Sequence, residues 1–326
     1  NSSKSNKSMT KPKVSILIMT YNQDAYLAKA IQSALAQTYE NIEILISNNG
    51  STDNTSKIVE SFLPNKKIIF QNYPTNESAT LRQNQAIDAA TGDFISWLYG
   101  DDYYLDQKVE VQMRAFDTLD QSYGVVYGPG YIHHISTDEK VLSSCMNYSG
   151  DCLHIFLSRW LKDGSINPIS PLVRSKCYDN CRPDNSISPS EAEVLYLQLA
   201  VSYKFLYLEE PLVVMAEHES NLGKKIELNL LTHEKSILNL LQRNKLSKKT
   251  QHLVHAHLCE KKIIASWHCF RTNRNIPWAK SLLKDAFTAN SLSCIKNKYF
   301  SLSLVMFLSP EKIRNWINNI LPKVKV

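Results

Sequence analysis

Two adjacent carboxylates, Asp101-Asp102, follow the apolar run 94–98. Like charges this close resist joint ionisation unless solvent or a cation stands between them. A divalent cation shared with a phosphate resolves the conflict, since Mg²⁺ is commonly held by one or two carboxylates plus substrate phosphates. The competing reading is a solvated turn, or the N-cap of a helix starting near Asp106. Two more polar clusters close apolar runs in the same way. Thr20-Tyr21-Asn22 follows 14–19, and Asn48-Asn49-Gly50-Ser51 follows 42–46. Ligands of open parallel sheets bind beyond the carboxyl ends of the strands, so these three clusters mark where chemistry would sit.

The elements that must position them alternate. Strand-length apolar runs at 14–19, 42–46, 67–71 and 94–98 are separated by helical patterns at 25–36, 52–62 and 80–90. The first helical pattern places Leu27, Ala30, Ile31, Ala34 and Leu35 on one face. Such alternation predicts an α/β fold with a parallel sheet and right-handed crossovers. Near-continuous apolar strands fit a sheet covered on both faces. Beyond residue 102 the pattern loosens. A helix is expected over 106–119, paired strands around Gly128-Pro129-Gly130, a helix over 190–202, and short strands at 205–208 and 212–215. From Lys224 the chain reads as helices, at 224–242, 247–270, 277–289 and 310–320.

Composition divides the 326 residues at a similar place. Overall net charge is +6, but Lys224–Val326 carries 19 Lys/Arg against 5 Asp/Glu, while the preceding residues carry 18 against 26. Three segments are therefore expected: a disordered Ser/Asn/Lys-rich lead over 1–12, which lacks the apolar core of a signal peptide, an α/β domain over 13–223, and a basic helical domain over 224–326. Nine glycines at scattered positions allow neither G-x-G-x-x-G nor G-x-x-x-x-G-K-[ST], which excludes a dinucleotide fingerprint and a P-loop. Seven cysteines without a C-x-x-C pair point to a reducing, cytoplasmic compartment rather than a disulfide framework. Cys177 and Cys181 lack two further ligands at zinc spacing. His252, His255 and His257 do not share one helical face. No apolar run reaches the roughly 18 residues of a membrane span.

An ordered series of stretches, VSILIMTYN at 14–22, AIQSALAQTYENIEILISNNGSTDNT at 30–55, LRQN at 81–84 and ATGDFISWLYGDD at 90–102, resembles the nucleotide-sugar domain of inverting family 2 glycosyltransferases. A weaker likeness continues through NPISPLV at 167–173, the helix at 190–202 and YLEEPLVVMAEH at 207–218, and stops before the last hundred residues. The resemblance implies a GT-A fold: a Rossmann-like, mostly parallel sheet flanked by helices. It also implies metal-dependent transfer of a sugar from a nucleotide-diphosphate donor, UDP by default, to an acceptor hydroxyl in polysaccharide or glycolipid assembly.

At matching positions the resemblance assigns Thr20, Tyr21, Asn22, Asn48, Asn49 and Arg82 to the nucleotide. Asp101 would contact ribose and the metal, and Asp102 would bind Mg²⁺ or Mn²⁺. His218 falls near the diphosphate or metal. The alternatives are a salt-bridged helix residue for Arg82 and a surface histidine for His218. The base belongs on the helix near 190, where an inverting carboxylate would reach the acceptor hydroxyl. Glu191 is the expected base and Glu193 its alternative. Two residues apart on a helix they point roughly 200° from one another, so at most one faces the site. Helix-terminal charge is the other reading of both.

Four departures stand out. Asn48-Asn49 replaces a family pair of acids, although an amide can still donate to and accept from a base edge. Tyr99 replaces the first acid of the longer metal motif, Ala192 can align with the base position, and Ala216 stands where an Arg is frequent. A catalytically impaired nucleotide-sugar-binding protein on the same fold is therefore the second reading. A sugar nucleotidyltransferase is disfavoured because no Gly-rich loop follows the first strand.

The basic segment suggests an anionic partner. With sugar transfer as the leading reading, an anionic membrane surface or lipid-linked acceptor on the inner face of the membrane fits better than nucleic acid. The apolar stretch 299–308 and the Trp316, Ile317, Ile320, Leu321 pattern suit an interfacial helix. They suit a homo-oligomer face or a helical cap equally well.

Overall fold

The computed structural model describes residues 11–188, 192–219, 221, 226–290 and 294–321. The expected lead at 1–12 and the expected base Glu191 thus fall largely or wholly outside the described residues. The chain packs as two compact units.

The first unit comprises Asn1–Asp151, Ile166–Asn185 and Ser202–Glu217. Its core is the seven-stranded sheet β10-β6-β9-β4-β1-β2-β3. Strands β1 (Val14–Thr20), β2 (Ile42–Asn48), β3 (Ile68–Asn72) and β4 (Phe94–Tyr99) are parallel. Helices α1 (Leu27–Leu35), α2 (Thr55–Phe62) and α3 (Ala79–Ala89) connect them. The expected strand–helix alternation is therefore present, and β1 and β2 are buried along their length as a sheet covered on both faces requires. Helix α1 turns Leu27, Ala30, Ile31 and Ala34 into the core. Ser78 caps α3 by accepting the Leu81 N–H. Registers matter for function: Thr20 lies beside Asn48, Asn48 beside Asn72, and Met19 beside Tyr99. Four strand ends therefore open on one edge, those of β1, β2 and β4 among them.

Past β4 come β5 (Tyr103–Tyr104), α4 (Lys108–Phe116), β6 (Tyr123–Tyr127), β7 (Gly130–His134) and β8 (Glu139–Leu142). The expected pairing around Gly128-Pro129-Gly130 does not occur. β6 is already flanked by β9 (Leu172–Arg174), antiparallel, and β10 (Lys204–Tyr207), parallel. β7 instead joins a second sheet, β5-β11-β7-β8, where β11 (Val213–Glu217) runs parallel to it. The glycines serve close approach. A Cβ on Gly128 would meet the Leu208 and Glu210 carbonyls at 3.0 Å, and one on Gly130 would meet Val213 Cγ2 at 2.7 Å. β5, β8 and β9 are too short for periodicity to reveal.

The second unit comprises Cys152–Ser165, Ser186–Val201 and His218–Val326. The change of charge at Lys224 is thus one of composition, whereas the packing draws two earlier segments into the helical unit. It contains α5 (Leu153–Asp163), most of α6 (Ala192–Ser202), α7 (Ile226–Arg243), α8 (Lys248–Thr272), α9 (Ile276–Ala289), α10 (Lys298–Leu308) and α11 (Glu311–Ile320). Along α8, Ile263 packs with Leu283, Ala286 and Phe300, and Phe270 packs with Ala279 and Met306. His233 on α7 and His257 on α8 meet Nε2 to Nε2 at 3.2 Å, with His257 Nδ1 3.2 Å from the Leu157 carbonyl. No disulfide joins the seven cysteines among the described residues. Among those residues no helix is long and apolar enough to cross a membrane.

Candidate active site

The aligned ends of β1, β2 and β4 bring Thr20, Asn48, Asn49 and the Asp101-Asp102 turn to one edge of the first unit. The Asn49 N–H donates to the Thr20 carbonyl and the Gly100 N–H to the Met19 carbonyl, both at 3.0 Å, so the segments leaving the three strands are tied together. Gly100 permits this closeness. A Cβ there would stand 2.5 Å from Gln23 Oε1 and 2.8 Å from Thr20 Oγ1. Thr20 is buried, and its hydroxyl has no hydrogen-bond partner among the described residues. Tyr21 is exposed. Asn22 adopts φ +51°, a region its short polar side chain tolerates. Its backbone N–H donates to Ser51 Oγ, and its side-chain oxygen accepts from the Thr52 N–H at 2.8 Å.

Asn48 and Asn49 are inward-facing. The Asn48 amide donates to Ser56 Oγ at 2.8 Å and to Asn72 Oδ1 at 2.9 Å, and its oxygen accepts from the Ser51 N–H and hydroxyl. Those contacts use the full capacity of the group, so Asn48 braces the strand end. Asn49 spans to the next loop, donating to the Glu77 carbonyl at 2.8 Å and accepting from the Glu77 N–H at 3.0 Å. The same oxygen takes the Arg82 Nε–H at 3.0 Å. Arg82 is buried, lies 3.6 Å over the Tyr73 ring, and also donates to Gln85 Oε1 and the Thr75 carbonyl. Its Nη2 stands 3.5 Å from Glu77 Oε1. Through these contacts the planar fork holds the 73–77 loop against the end of β2.

Asp102 is 6% exposed. Burial pushes its carboxyl well above the usual carboxylate range, Asp101 pushes it further, and the Ala216 N–H opposes both. Burial and the same two acids raise Tyr99 to about 12. Asp102 is thus an inward-facing carboxyl whose charged form burial disfavours. Among the described residues no group of three or more His, Cys, Asp or Glu gathers as a metal cage. Two carboxylates at most suit a cation completed by phosphate and water, which fits Mg²⁺ or Mn²⁺.

The remaining candidates belong to the second unit. Glu193 lies in α6 near its start, and Glu191 lies outside the described residues. The His218 N–H donates to Asn221 Oδ1 at 2.6 Å, and its Nε2 stands 3.4 Å from Asn221 Nδ2. Sequence reasoning missed Gln23, Tyr73 and the Ala216 N–H, whose roles arise only when distant segments meet. A separate groove of about 540 Å³, lined by Lys29, Tyr103, Lys108 and Glu210 among others, contains none of the predicted residues.

The glycosyl transferase family 2 model matches residues 15–170. An uncharacterised glycosyltransferase of Rickettsia typhi is 41% identical over 116 residues, which cover 36% of each chain. A UDP-Glc:α-D-GlcNAc-diphosphoundecaprenol β-1,3-glucosyltransferase of Escherichia coli, WfaP, is 36% identical over 105 residues, covering 32% of this chain and 41% of that one. The chain spans only 24% to 36% of the length of the first curated relatives it matches. Among solved structures, S. aureus TarS 1–349 in complex with UDP superposes with a TM-score of 0.63 at 15% identity, covering 94% of this chain and 88% of that one. A mannosyltransferase of Pyrobaculum calidifontis in complex with GDP-Man and Mn²⁺ gives 0.59 at 14% identity, covering 94% and 84%. These likenesses show a shared GT-A fold. Over residues 15–170 the chain is similar to glycosyl transferase family 2.

Proposed function

We propose that the chain is a metal-dependent inverting glycosyltransferase that takes a sugar from a nucleoside diphosphate, UDP first among them. The observation that carries this reading is the burial of Asp102 beside Asp101 at the end of β4, where the Ala216 N–H donates to its carboxylate. Asp102, with Asp101, would hold Mg²⁺ or Mn²⁺. When bound, the cation supplies positive charge that stabilises the leaving diphosphate. The similarity to a protein named for UDP-glucose, and the fold shared with structures containing UDP or GDP-Man with Mn²⁺, support the donor class.

The chain's own residues do the rest. Thr20, Tyr21 and Asn22 line the mouth where the nucleotide lies, with the unpartnered Thr20 hydroxyl turned to the ligand. Asn49 and Arg82 fix the 73–77 loop that borders it, and Asn48 holds β2 in register. His218 contributes near the diphosphate. Glu191, with Glu193 as alternative, takes the proton from the acceptor hydroxyl as that oxygen attacks the anomeric carbon opposite the leaving group, inverting its configuration. Holding donor and acceptor together lowers the barrier further. The acceptor is a glycan or lipid-linked sugar, met at the inner face of the membrane.

Thermal shifts with UDP, GDP, CDP and dTDP, each with and without Mn²⁺, test the reading. One nucleoside diphosphate should raise the melting temperature, and more so with Mn²⁺. Silence across the panel would overturn it.

A further inference from the structure

Helices α10 and α11 each bury one face in the second unit and leave an apolar face in solvent. α10 turns Phe300, Ser303 and Met306 inward. α11 turns Arg314 inward, and Ile317 packs against the cluster containing Phe270 and Met306. The opposite faces carry Leu304, Val305 and Leu308 on α10 and Ile313, Trp316 and Ile320 on α11, all exposed. Leu308 reaches 72% and Trp316 64%. In each helix the outward residues recur at three and four, the spacing of a single stripe. Exposed apolar stripes of this kind, rimmed by charge, mark an interaction site more often than scattered single residues do.

Charge decides the occupant. Lys284, Lys296, Lys298 and Lys312 are exposed in the same stretch of chain, and over 277–321 the acids are Asp285 and Glu311 alone. A two-fold dimer through this face would set like patches together and press its cations against one another. Anionic phospholipid headgroups would neutralise them, and aliphatic and tryptophan side chains flanked by lysine suit the boundary between headgroups and acyl chains.

We infer that the outward face of α10 and α11 docks on an anionic bilayer surface. The apolar stripes enter at headgroup level and the lysines meet lipid phosphates. This deepens the lipid-linked acceptor reading, but vesicle binding is measured without any transfer reaction, so the two can fail separately.

The test is co-sedimentation of the full chain with vesicles of phosphatidylglycerol and phosphatidylcholine, against vesicles of phosphatidylcholine alone. Binding should require the anionic lipid and weaken with salt. The doubly substituted Leu308→Glu/Trp316→Glu protein should lose at least about tenfold in binding, with its circular dichroism spectrum unchanged because both side chains are exposed. Lys296→Glu/Lys298→Glu should abolish the preference for anionic lipid. Equal binding to both vesicles, binding to neither, or full binding by Leu308→Glu/Trp316→Glu would overturn the inference. So would a dimer dispersed by that same double substitution, which would make a second copy the occupant.

Discussion

The backbone N–H of Ala216 donates to the Asp102 carboxylate at 2.9 Å, tying β11 to the turn after β4. This contact joins the seven-stranded sheet to the four-stranded one at the residue proposed to hold the cation. A single N–H offsets little of the cost of burying a carboxylate beside a second one, and burial wins, because the carboxyl is held well above its usual range.

Substitutions at the two proposed centres should therefore separate binding from chemistry. Asp102→Ala should lower transfer by at least about 10²-fold and remove the gain in nucleotide affinity given by Mn²⁺. Glu191→Gln should lower transfer by about 10²- to 10⁴-fold while leaving that gain intact. Calorimetric titration of nucleotide beside a transfer assay reads both. Full transfer by Glu191→Gln would move the base to Glu193, and Mn²⁺-enhanced binding by Asp102→Ala would move the cation elsewhere.

Glu43 should dominate part of the acid limb of stability. It is 5% exposed, and burial alone would raise its pKa. The Lys13 ammonium, the Ser15 hydroxyl and the Thr91 N–H and hydroxyl overcome burial and bring it down to about 2. A carboxylate with a depressed native pKa stabilises the fold above its ordinary value, and that contribution is lost as pH falls from 4.5 toward 2. The shift corresponds to about 2–3 kcal/mol once partial exposure of Lys13 is allowed for. Glu43→Gln should cost that much at pH 7 and flatten the decline, as read by urea unfolding across the acid range. An unchanged acid slope would refute the assignment.

The first four strands and three helices are legible in the sequence because each is long enough for its apolar period to show, and the three strand-end clusters follow from them. What lies beyond β4 is not. β5 and β9 have two and three residues, too few for a period, and Gly128 and Gly130 read as a hairpin although packing against 208–213 explains them. In the site, Asp101-Asp102 announces itself by composition. The inward turn of Asn48 toward Asn72 and the Ala216 contact depend on segments 24 and 114 residues apart, and the stack of Arg82 on Tyr73 crosses from a loop to a helix, so no periodic spacing encodes them.

Gly100 should be intolerant of a side chain for a functional reason. A methyl group would stand 2.5 Å from Gln23 Oε1 and 2.8 Å from Thr20 Oγ1. Gln23 can swing away, but Thr20 Cβ at 3.0 Å belongs to a buried strand end and cannot move as cheaply. Gly100→Ala should cost about 1–3 kcal/mol of stability and weaken nucleotide binding by at least about tenfold. Melting and nucleotide titration on the same preparation check this. Ordinary nucleotide affinity in the variant would separate Thr20 from the ligand.

Lys108 gives the last prediction, because its charge has nowhere to go. It is 1% exposed, its Nζ donates to Ser96 Oγ at 2.7 Å and Gln112 Oε1 at 2.9 Å, and it lies 4.4 Å over the Tyr104 ring. Burial holds its pKa well below the ordinary lysine value. The unfolded chain then binds a proton that the folded chain does not, so this residue makes stability rise with pH until the unfolded lysine titrates near ~10.4. Buried thiols such as Cys177, raised to about 12, pull the other way above the ordinary thiol range, so the readout is the difference between parent and variant. Lys108→Met keeps the buried stem, while Ser96 retains Tyr104 and Gln112 retains the Val126 and Ser170 carbonyls. At pH 7 the variant should match or exceed its parent, and the advantage should shrink by up to about 1.4 kcal/mol per unit as pH rises toward 9.5. Parallel stability curves in urea over that range would mean that Lys108 keeps its proton in the folded protein.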